Sequence, residues 1–182
     1  MVGVLFALAL AASSSATGDV HCELRRLSAC RDTNELIWDK AFEGEVKRFL
    51  GLRRSSYLGR PDWLADQMIE VLGGPPDDPI RIGNRFRFTA CRAHSCDEKG
   101  AAVMEPDGRI VALAILHSAC GAQPAANDCF AHETLDIFAQ SPVGADIVGN
   151  LSSWAKAEIA QGYTAHGDPA DRLDAVRVTA VK

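Results

Sequence analysis

Residues Thr89 to Gly100 read TACRAHSCDEKG, and within them Cys91, His94 and Cys96 fall inside six consecutive positions. Thiolate and imidazole suit zinc, and His117 with Cys120 could supply a second half of such a site. However, Cys-x4-Cys with an internal His is not a usual chelate spacing, and thiols bind metal only where they stay reduced. A redox dithiol would need Cys-x-x-Cys near a βαβ pattern, and the sequence has neither. Hydrolase motifs are missing too: there is no Gly-x-Ser-x-Gly, and His132-Glu133 continues as Thr134-Leu135-Asp136 without a second ligand histidine. His132 therefore reads as a helix-start or surface residue, and His21, His117 and His166 carry no motif. No catalytic set emerges, so an enzyme is not expected. What remains is a bond between Cys91 and Cys96 that displays His94.

Compartment decides between these chemistries. Val2 to Ala12 is an unbroken run of eleven apolar and small residues, followed by Ser13-Ser14-Ser15-Ala16, where Ser14 and Ala16 fit a signal-peptidase cut. Residues 1–16 are read as a secretory signal, too short to span a bilayer, which takes ~20 apolar residues. Residues 17–182 then form a single domain, long enough for a real apolar core. Six cysteines in an exported chain read as a disulfide set. They fall into three sequence-local pairs: Cys22 with Cys30, Cys91 with Cys96, and Cys120 with Cys129. The formal net charge of -5 argues against nucleic acid and anionic lipid, and allows a cationic partner. No metal or other cofactor is expected, and the zinc set of Cys91, His94, Cys96, His117 and Cys120 stands as the alternative.

The elements that must carry the loop follow from periodicity. Asp32 is placed to cap a helix, with Glu35 to reciprocate, and Trp38, Phe42, Val46 and Phe49 recur at helical spacing until Gly51. A second helix from about Pro61 buries Leu64, Met68 and Val71 and stops at Gly73-Gly74-Pro75-Pro76. The period then changes to two. Ile80-Arg81-Ile82, Gly83-Asn84 and Arg85 to Ala90 read as a hairpin, with Ile82, Phe86 and Phe88 on one face. Ala101 to Met104 and Arg109 to Leu116 make a further pair through the turn Glu105-Pro106-Asp107-Gly108, and Ile110 to Leu116, apolar on both faces, belongs at the sheet centre. A helix after Ser141-Pro142 buries Ile147, Leu151, Trp154 and Ile159, and Val176 to Val181 is a last strand. These elements predict an α+β domain: a central antiparallel sheet flanked by helices, stapled by local disulfides. Cys91 to Cys96 then lies at a strand tip, where a short closed loop can hold one side chain in a fixed pose so that binding need not order it.

Cys91-Arg92-Ala93-His94-Ser95-Cys96, entered from a strand and followed by an apolar strand, resembles the Cys-Lys-Pro-His-(Asp or Asn)-Cys loop of the Ivy family, the bacterial inhibitors of vertebrate lysozyme. The similarity spans about Arg60 to Leu116, with Ala93 and Ser95 departing from the pattern and Arg92 keeping only the charge. The resemblance implies a periplasmic protein of a Gram-negative bacterium that inserts this loop into the cleft of c-type lysozyme, with His94 between the two catalytic carboxyl groups. It implies Arg92 as a charge contact at the cleft edge, and it suggests a homodimer.

Overall fold

The computed structural model describes residues 21–118, 132–166 and 172–181. The expected signal at residues 1–16 and the expected Cys120–Cys129 bond lie outside the described residues. Asp32 caps α1 (Thr33–Ile37) by accepting from the Glu35 amide at 2.9 Å. Glu35 turns back to the Arg31 amide, also at 2.9 Å, rather than to Asp32. The helical stripe does not run on as one helix. Asp39 caps a second one, α2 (Lys40–Leu50), taking the Ala41 amide on one oxygen and the Leu24 amide on the other, both at 2.8 Å. The two caps break the spiral at Trp38, which is 84% exposed instead of sharing the core with Phe42, Val46 and Phe49.

A short ribbon of β1 (Arg54–Ser55) and β2 (Asp62–Trp63) leads into α3 (Leu64–Val71), which buries Leu64, Met68 and Val71 as its pattern requires. The main sheet follows in chain order: β3 (Ile80–Ile82), β4 (Arg85–Arg92), β5 (Ser95–Met104), β6 (Ile110–Ser118), β7 (His132–Gln140) and β8 (Arg172–Val181). Between β7 and β8 runs α4 (Ala145–His166). The fold is α+β, and among the described residues it carries two local disulfides, Cys22–Cys30 and Cys91–Cys96.

Two details of the sheet differ from expectation. It is antiparallel from β3 to β7, but β8 lies parallel to β7. A parallel neighbour needs a crossover, and α4 supplies it. His132 accordingly opens a strand, not a helix. Secondly, Ile82 pairs directly with Arg85, because Gly83-Asn84 is a two-residue turn. Paired residues share a face while the strand alternates, so Ile82 sits opposite Phe86 and Phe88. Phe86 and Phe88 join the layer of α2 and α3, whereas Ile82 packs with the layer of α4.

Each sheet face is thus covered. Phe88, Met104, Leu113 and Ile115 meet Phe42, Phe49 and Met68 on one side. On the other, Val103, Ala114 and Ile137 meet Ile147, Leu151 and Trp154 of α4. β6 is buried from Ile110 to Leu116, as its two apolar faces demand. β5 pairs directly with this central strand, so the β4–β5 hairpin lies beside it.

Candidate functional site: the β4–β5 tip

Cys91 pairs with Lys99 across the hairpin, but the next pair is Arg92 with Ser95. The ladder therefore slips, leaving Cys96, Asp97 and Glu98 as extra residues on the β5 side. The Cys91–Cys96 disulfide spans that slip, with Cα atoms 4.8 Å apart, inside the range a bridge needs. It encloses a two-residue turn, Ala93-His94, and both side chains are exposed. His94 has φ 65° and is the sole non-glycine residue at positive φ among the described residues. Histidine is one of the side chains enriched in that region, and here its side chain is exposed at the turn.

Three contacts fix the base of this loop. Pro75 accepts from the Cys91 amide at 3.0 Å, Thr89 from the Asp77 amide at 3.1 Å, and the Thr89 hydroxyl donates to Asp77 Oδ2 at 2.8 Å. The segment Gly74 to Asp77 thus extends the sheet beside β4 past the end of β3. Gly74 comes closest of all: a Cβ there would stand 2.2 Å from the Cys91 carbonyl oxygen and 2.5 Å from the Ala93 nitrogen. On the α4 side the backing is hollow, a cavity of about 100 Å³ bounded by Cys91, Asp77, Lys99, Trp154 and Glu158.

Arg92 does not extend to the tip. Its Nε donates to Glu70 Oε1 of α3 at 3.0 Å, and its Nη1 stands 3.6 Å from Glu98 Oε2. Ser95 Oγ donates to the same Glu98 oxygen at 2.8 Å, while the other oxygen of Glu70 receives Arg60 at 2.9 Å. The Arg92 side chain is three-quarters buried among these groups, in an ion pair that ties the hairpin to α3.

The set considered for zinc is dispersed. Cys91 and Cys96 are bonded to one another, Cys120 lies outside the described residues, and His117 turns to a different network. Its Nε2 lies 2.9 Å from Asp136 Oδ2 and its Nδ1 lies 3.2 Å from the Ser118 carbonyl. Tyr57 stacks edge-on against the imidazole at 4.7 Å. Burial pushes the Asp136 carboxyl up, but hydrogen bonds from His117 and Tyr57 outweigh it and hold the group below the usual range. The Tyr57 hydroxyl is pushed well above its usual range by burial and by the neighbouring carboxylate. This network ties the segment before α3 to β6 and β7.

No family model matches the chain, and neither a curated protein nor a solved structure matches it. The loop residues Cys91 to Cys96 were legible from their types and spacing. Gly74, Glu70 and Glu98 were not, since Gly74 reads locally as a helix stop and the two glutamates as solvated charge.

Proposed function

We propose that this protein is exported to the periplasm of a Gram-negative bacterium and inhibits c-type lysozyme there, protecting peptidoglycan without any chemistry of its own. The observation that carries the reading is the pose of His94: exposed, at the apex of a disulfide-closed two-residue turn with a braced base. In a retaining glycosidase the two catalytic carboxyl groups are ~5 to 5.5 Å apart. An imidazole has nitrogens on opposite sides of the ring, and both donate when it is protonated, so one ring can engage both carboxyl groups and fill the place of the sugar. A braced loop loses little freedom on entering the cleft. The net charge of -5 would favour encounter with a cationic enzyme.

A turbidity assay of cell-wall lysis tests this. Purified protein is expected to suppress lysis by at least one c-type lysozyme, and His94→Ala to weaken inhibition on the order of tenfold to a hundredfold, while the melting temperature stays unchanged. Inhibition by His94→Ala equal to the parent's would remove the site assignment. No suppression of any lysozyme by the parent would remove the function.

A further inference from the structure

We infer that Glu70 is a positioning residue for the loop: it holds Arg92, and through Arg92 it fixes the backbone that presents His94. The effect on inhibition rests on the function proposed above, but the effect on the loop does not.

The geometry of support points to this pair. On the α4 side the disulfide borders the cavity of about 100 Å³, which Trp154 and Glu158 close from α4. At the β4 edge the Cys91 amide is held by the Pro75 carbonyl, and Gly74 limits how close the two backbones can come. Arg92 adds a tie toward α3. Its planar guanidinium is engaged by Glu70 on α3 and by Glu98 on the far limb of the hairpin. A steric stop at the β4 edge and an ionic tie to α3 together set one position.

Arg92 immediately precedes the turn residues Ala93 and His94, so rotation of its backbone would swing the imidazole directly. Glu98 is occupied twice, by Arg92 and by Ser95 on the far limb of the turn, and so joins both limbs. Ion pairs open to solvent stabilise folds little, and this one keeps partial access to water, with Arg92 25% and Glu70 34% exposed. Its consequence is therefore expected in order and lifetime rather than in global stability. Lysine could not replace Arg92, because a point charge cannot span two carboxylates as a rigid fork does.

Nuclear magnetic relaxation of the backbone amides, measured on the whole protein without lysozyme, tests the tie itself. In the parent, Ala93 and His94 should show order parameters near the rigid value of ~0.85; in Glu70→Gln and in Arg92→Lys they should fall toward ~0.6 or lower. The amide of Leu113, buried in the central strand β6, reports whether the fold is intact. The double variant Glu70→Gln with Arg92→Lys should lose little more order than either single variant, which two independent effects would not allow. Against immobilised lysozyme, Glu70→Gln should raise the dissociation rate roughly threefold to tenfold with little change in association. Unaltered order parameters in both single variants would overturn the inference. Loss of loop order with no lysozyme binding by the parent would leave the tie standing and overturn the proposed function alone.

Discussion

Gly74 and Ala93 touch through their backbones: a Cβ on residue 74 would stand 2.5 Å from the Ala93 nitrogen and 2.7 Å from the Arg92 carbonyl carbon. Neither partner is the end of a flexible side chain, so neither can yield cheaply. Gly74→Ala should displace the whole turn. Overpacking of this kind costs about 1 to 3 kcal/mol, and chemical denaturation should register that loss. Inhibition should fall by more than stability does, on the order of tenfold or greater, since the His94 pose is what shifts. A Gly74→Ala protein with parental denaturation and parental inhibition would show that the loop does not lean on this segment.

Ala93 is suited to proline. Its φ is not positive, unlike that of His94, and its N–H makes no hydrogen bond among the described residues. Proline is favoured at the first central position of a turn whose second central residue has positive φ. Restricting one residue in a compatible conformation stabilises by about 0.4 to 1 kcal/mol. Ala93→Pro is accordingly expected to tighten binding roughly twofold to fivefold, mainly through slower dissociation, as surface-binding kinetics would show. Weaker binding at an unchanged melting temperature would mean that the ring and Gly74 compete for one space.

Asp136 gives the fold an acid-sensitive joint. Its carboxyl is held below the unfolded value of ~3.9, so its contribution is complete above that pH and disappears as pH falls through the lower folded value. Asp136→Asn should cost about 1 to 3 kcal/mol at pH 7, because His117 and Tyr57 lose a charged acceptor. The gap between variant and parent should close as the pH is lowered below ~3.9. Denaturant curves at several pH values would reveal this, and a gap that widened on acidification would contradict the sign.

Much of the fold was legible because its signals are local. The helix ending at Gly73, the strand apolar on both faces from Ile110, and the loop between Cys91 and Cys96 each follow from a single stretch. Trp38 shows where that fails: its spacing to Phe42 and Val46 is helical, yet Asp32 and Asp39 each find an amide to cap, and two caps outweigh one continuous stripe. β7 has a strand's period, Leu135, Ile137 and Ala139 alternating with Thr134 and Asp136, but nothing in that pattern says that β8 runs parallel to it. The brace of the site was not readable in the same way. Glu70 and Gly74 precede the loop by many residues, and only the docking of α3 beside β4 reveals what they do.

The crossover through α4 also bears on the order in which the molecule is assembled. β3 to β6 are joined by tight hairpins, and their pairing needs closure of short chain segments only. β8 must find β7 across the full length of α4, a closure of higher entropic cost. The hairpin bearing His94 is therefore expected to reach its paired form ahead of the C-terminal strand, so that the business end of the protein matures while its far edge is still being sewn.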